Sequence, residues 1–83
     1  MAESQFSKDV VRSFASKDGK RNLFIGRVAG GLYCYFEEGE LHNPDGDYNY
    51  WAETARSGLY ATPEEAEEEA RRIVAWFRDE ISN

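Results

Sequence analysis

The chain has 83 residues, ten Lys and Arg against sixteen Asp and Glu, and a formal net charge of −6. That length holds one small domain and not two. It is 41% hydrophobic and 14% aromatic, so twelve rings are available to a core and the composition argues against disorder. No run approaches the ~18 apolar residues of a membrane span. Met1–Gln5 shows no basic region leading into an apolar stretch, so no secretory leader is expected. The single cysteine, Cys34, has no internal partner for a disulfide, and a cytoplasmic setting is the expectation.

Three strands are predicted first. Residues 8–15 (Lys-Asp-Val-Val-Arg-Ser-Phe-Ala) form one, and Ser16-Lys17-Asp18-Gly19-Lys20 turns the chain, with Gly19 suited to positive φ. Residues 22–28 form the second, Ala29-Gly30-Gly31 the next turn, and residues 32–37 (Leu-Tyr-Cys-Tyr-Phe-Glu) the third. Residues 38–61 read as a long loop around a strong turn, Asn43-Pro44-Asp45-Gly46, with room for a short fourth strand near 48–51 or 58–60. A loop of that length in so small a domain points to function.

A helix over 63–81 follows. Thr62 is its N-cap, Pro63 its first residue, and Glu65 the other half of a capping box. Ala66, Ala70, Ile73, Val74, Phe77 and Ile81 make an apolar stripe, with Trp76 on its flank. Glu67–Arg71 and Glu68–Arg72 stand four residues apart in the favoured order. The fold class is α+β: a three-stranded antiparallel meander packed on one C-terminal helix, ordered β-β-β-loop-α, within a single domain spanning 1–83.

Turn length then sorts the side chains. A three-residue first turn (Lys17–Gly19) and a two-residue second turn (Gly30-Gly31) place Val11, Ala15, Leu23, Ile25, Leu32, Cys34 and Phe36 on one face. Val10, Arg12, Phe14, Phe24, Val28, Tyr33 and Tyr35 fall on the other. The aliphatic face matches the helix stripe and is expected to be core. One helix cannot cover both faces, so the aromatic face is expected beneath the 38–61 loop or against a partner.

Catalysis finds little footing. Cys34 and His42 are the only nucleophile–base pair, and Cys34 is expected in the core. Glu37, Glu38 and Glu40 are carboxylates without a shaped pocket around them. Asp45-Gly46-Asp47-Tyr48-Asn49 has the opening spacing of a calcium loop, but Tyr50 and Arg56 stand where that loop needs glycine and glutamate. No Cys/His set for zinc and no phosphate-binding glycine loop is present. No cofactor, metal or enzymatic activity is expected.

Charge is unevenly divided. Residues 1–36 carry six basic side chains against three acidic, and residues 37–83 four against thirteen. The basic half, with Arg12, Lys17, Lys20, Arg21 and Arg27, resembles in outline the small sheet-reading DNA-binding domains of integrases and of the plant AP2 type. That resemblance implies a sheet laid in a DNA groove; none of those domains' diagnostic residues occurs here, and the pI near 4.7 opposes phosphate binding. In size and acidity the chain is similar to small phage and mobile-element inhibitors of the anti-CRISPR kind, which implies occupation of a partner's nucleic-acid groove. The expected function is therefore an acidic protein-binding module, its partner a protein or nucleoprotein complex. Direct DNA binding, and a homodimer or accessory subunit, are the alternatives. Tyr48, Tyr50, Trp51, Phe14, Tyr33 and Tyr35 are the candidate contact rings, with Glu37, Glu38, Asp45 and Asp47 steering approach.

Overall fold

A computed structural model describes residues 9–81. Its strands are β1 (Asp9–Ala15), β2 (Arg21–Val28), β3 (Leu32–Asn43) and β4 (Tyr48–Arg56). They form one antiparallel sheet in the order β1-β2-β3-β4. The helices α1 (Pro63–Ile73) and α2 (Ala75–Ile81) follow, and α1 packs on β2 and β3. The expected α+β meander with a C-terminal helix is present. Lys8, the expected start of the first strand, lies outside the described residues.

The expected loop is instead a long hairpin. β3 runs on to Asn43, and β4 returns beside it from the Asn43↔Tyr48 pair to the Phe36↔Arg56 pair, with a bulge opposite Glu37/Glu38. The turn is set by Asn43, whose Oδ1 accepts the amides of Asp45 (2.9 Å) and Gly46 (3.4 Å). At Gly46 the Tyr48 ring fills the space a Cβ would occupy, so a side chain there would displace the ring. Past β4 the chain stays beside β3: the Ser57 amide donates to the Tyr35 carbonyl, and Tyr33 and Tyr60 exchange both backbone hydrogen bonds at 2.8 and 2.7 Å.

Each of the first two turns is one residue longer than expected. Ser16 pairs with Arg21 across Lys17–Lys20, the Ser16 amide donating to the Arg21 carbonyl at 2.9 Å. Val28 pairs with Leu32 across Ala29–Gly31, with Gly30 at φ 89° and Gly31 at φ 77°. A side chain alternates faces at every residue, so one extra residue per turn inverts β1 and β3 relative to β2. Phe14 now stands beside Leu23, and Tyr35 beside Ile25. A bulge at Val11 restores the expected pairing only for Asp9 and Val10.

The core is therefore aromatic where an aliphatic core was expected. Leu23, Ile25, Tyr35, Ala66, Ala70, Val74 and Phe77 are buried together, with Phe14, Tyr33, Tyr60 and Trp76 packed against them. The rings of Phe14 and Phe77 lie 4.8 Å apart. Burial holds the Tyr35 phenol above its ordinary pKa. Phe36 faces away from the helices and stacks on Phe24 at 5.0 Å. Cys34 shares that outer face and is also buried.

Capping follows the expected pattern: the Glu65 amide donates to Thr62 Oγ1 at 3.1 Å, and Glu65 Oε1 accepts from the Ala61 amide at 3.2 Å. The expected single helix is broken at Val74, which adopts φ −92°, ψ 107°. Ala66, Ala70, Val74 and Phe77 keep the stripe buried, but Ile73 turns out to solvent at 58% exposure. The side chain of Ile81 lies outside those described.

Candidate functional site

The register decides which candidates remain accessible. Phe14, Tyr33 and Tyr35 belong to the helix-covered face and help form the core, so they are withdrawn as contact rings. Glu37 is also withdrawn as a steering acid. It is buried, with Oε2 accepting from Trp76 Nε1 and Oε1 from Thr54 Oγ1, both at 2.6 Å. Arg21 lies 3.6 Å from the same carboxylate. Glu37 thus ties β3 to β4 and α2, and the Trp76 ring is held by its indole nitrogen as well as by packing.

The basic sheet is dispersed. Arg12, expected on an open face, lies beneath α1 and donates to Glu67 at 2.5 Å and Glu64 at 2.9 Å. Those hydrogen bonds raise its pKa, the Glu67 contact first. Arg21 faces Glu37, and the backbone of Arg27 pairs with Asp9 and Tyr33. Lys17 and Lys20 are exposed in the first turn, where Asp18 accepts from Ser16 Oγ at 2.7 Å and from the Lys20 amide at 3.0 Å. These bonds hold the Asp18 carboxyl below its ordinary pKa. Arg12 and Arg21 thus lie on the helix side, and the expected DNA-facing array is not assembled.

The helix acids are partly committed within the chain. Glu64 and Glu67 hold Arg12, Glu67 also holds Arg71, Glu69 holds Arg72, and Glu65 caps α1. Glu68, expected to pair with Arg72, is replaced there by Glu69.

The distal half of the β3–β4 hairpin is different. Leu41, Tyr48 and Tyr50 share the helix-side face, where Leu41 pairs across from Tyr50 and Asn43 from Tyr48. Their exposures are 37%, 52% and 42%, and the two tyrosine rings stand 6.0 Å apart. Trp51 lies on the outer face at 46% exposure, directly across from Glu40. Glu38 and Glu53 face one another two pairs further along, on the same face, and Arg56 binds Glu53 through two nitrogens at 2.9 and 2.7 Å. Tyr48, Tyr50, Trp51, Glu38, Asp45 and Asp47 are thus gathered on one projecting element. Leu41 and Glu40 belong with them and were missed as contact residues, because a segment read as loop has no faces to assign.

The hairpin tip is ordered by its own polar contacts. His42 Nδ1 is 2.9 Å from Asn49 Oδ1, His42 Nε2 is 3.5 Å from Asp47, and Asn43 Nδ2 donates to Tyr48 Oη at 2.9 Å. His42 stands eight residues from Cys34 on one strand, roughly 27 Å along β3, so the two form no catalytic pair. Among the described residues no cluster of three or more His, Cys, Asp or Glu is placed to hold a metal ion. No described helix is long and apolar enough to cross a membrane.

Comparison of the chain with known protein families, curated proteins and solved structures gives no match.

Proposed function

We propose that this chain is a non-enzymatic protein-binding module whose contact element is the acidic, aromatic β3–β4 hairpin. One observation carries the reading: Leu41, Tyr48, Tyr50 and Trp51 project half-exposed from a two-stranded hairpin, beside Glu38, Glu40, Asp45 and Asp47. Exposed rings of this kind supply most of the binding energy in protein interfaces. A surrounding rim of acids accelerates encounter with a basic surface and screens out acidic ones. An inhibitor that mimics a nucleic-acid backbone is the finer form of this proposal. The acids for it would come from the hairpin, since much of the helical carboxylate charge is answered inside the chain. A cytoplasmic setting belongs to the same proposal and rests on the lone, buried cysteine.

The test is affinity capture from a lysate of the source organism with the wild-type chain and with Tyr50→Ala and Trp51→Ala, followed by binding measurements on the captured protein. Each truncation is expected to weaken binding by about 30-fold, the equivalent of about 2 kcal/mol at a hot spot. Thermal melts of both variants should stay cooperative. Undiminished capture by both variants, or unfolding of either, overturns the reading.

A further inference from the structure

We infer that β4 takes up an extended peptide as a fifth, antiparallel strand, and that this peptide alternates basic and apolar side chains. The inference rests on the protein-binding reading and names the partner's chemistry at the same hairpin.

The open edge follows from the hydrogen bonding of β3. The Glu40 amide donates to the Lys20 carbonyl, at 3.0 Å, towards β2. It therefore points away from β4, and the Glu40/Trp51 pair is of the kind whose strands do not exchange hydrogen bonds at that position. The amide and carbonyl of Trp51 must then point off the free side of the sheet. Alternation assigns the same direction to Asn49 and Glu53, both paired in the same register. β4 is the last strand of the sheet, and no described segment lies beyond it from Asn49 to Glu53. Three residues thus present donors and acceptors at a spacing of roughly 7 Å, the repeat of an incoming strand.

The other edge is guarded. β1 is bulged at Val11, and Arg12 is drawn over to Glu64 and Glu67. β4 has neither device between Asn49 and Glu53. It contains no Lys or Pro, and Glu53 is its single charge between Tyr48 and Ala55.

Side chains flanking the edge specify the occupant. Opposite Asn49, Trp51 and Glu53, an antiparallel strand would place its own outward side chains beside the Trp51 ring, with the carboxylates of Glu38 and Glu40 behind that ring on β3. That setting suits arginine or lysine, through the ring face and the charge. Intervening side chains would fall on the helix-side face beside Tyr48, Tyr50 and Ala52, an apolar surface. A second copy of this chain is the poorer occupant, because two molecules of charge −6 repel.

The probe is a fluorescein-labelled nine-residue peptide of alternating arginine and valine, followed by fluorescence anisotropy at near-physiological salt. Its control has the same residues in two blocks. The alternating peptide should bind at least 10-fold tighter than the block peptide, and Trp51→Ala should remove most of that advantage. N-methylation then reads the register. Methyl groups on the arginine amides, which face β4, should weaken binding at least 10-fold, and methyl groups on the valine amides no more than about 3-fold. Equal binding of the two peptides, no binding, or equal sensitivity to both methylation patterns overturns strand addition. The protein-binding reading survives those results if lysate capture still depends on Tyr50 and Trp51, and falls with the inference if it does not. A concentration-dependent dimer in sedimentation equilibrium that Trp51→Ala disperses overturns the peptide as occupant and assigns the edge to a second copy.

Discussion

Glu37→Gln, combined with Trp76→Phe in a double-mutant cycle, reads out the face to which β3 is turned. Glu37 is buried and accepts 2.6 Å hydrogen bonds from Trp76 Nε1 and Thr54 Oγ1. A hydrogen bond to a charged group is worth roughly 1.5–3 kcal/mol net, and a neutral one about 1. Glutamine keeps the shape and can still accept from the indole, while the threonine hydroxyl rotates to accept from the new amide. The loss is then about 1 kcal/mol per contact, or about 2 kcal/mol in all. For a domain of this size that lowers Tm by about 8–16 °C. Trp76→Phe removes the donor and leaves Glu37 Oε2 without it, so the two substitutions should couple by at least about 1 kcal/mol. Urea unfolding of the four proteins, followed by circular dichroism, supplies the cycle. Effects that add to within ~0.5 kcal/mol would mean that the two side chains do not meet. The register of β3, and with it the exposure of the opposite hairpin surface, would then be wrong.

Other consequences are as direct. Phe77 is fully buried against Phe14 and Trp76, so Phe77→Ala should cost about 3–5 kcal/mol and leave the chain largely unfolded at room temperature, read by loss of the cooperative melt. Gly46→Ala forces the Tyr48 ring from its seat; chemical shifts at the hairpin tip should move while the melting temperature falls by only a few degrees. Cys34 should react with thiol reagents at the rate of chain opening, so alkylation monitored by mass should accelerate sharply in denaturant. Stability should decline as pH falls below about 4. Asp18 and Glu64 both titrate below their ordinary values in the folded chain, Asp18 through Ser16 and Glu64 through its own backbone amide and Arg12. Their stabilisation is complete above the unfolded-state pKa and is lost as the pH drops through the folded one. Asp18→Asn should flatten the decline of Tm with acid; an unchanged slope refutes its part.

Local chemistry alone determined the capped start of the helix, because Thr62, Pro63 and Glu65 act on neighbours within four residues. The same holds for the Asn43–Gly46 turn and for the existence of three strands. Apolar spacing also placed Ala66, Ala70, Val74 and Phe77 on one buried stripe. The faces of β1 and β3 were not legible, because both strands carry apolar side chains on both sides. Val11 and Ala15 alternate with Val10 and Phe14, and Leu32, Cys34 and Phe36 with Tyr33 and Tyr35, so burial pattern could not correct an error of one residue in turn length. A short fourth strand near 48–51 was allowed by the sequence, but its full extent over Tyr48–Arg56 was hidden for the opposite reason. Its distal half is wetted on both faces, and a strand with no buried face needs no alternation of apolar and polar residues. What only the assembled sheet decided is which rings are core and which are free: pairing across turns sends Tyr35 under the helices, and the length of the hairpin carries Tyr50 and Trp51 beyond their cover.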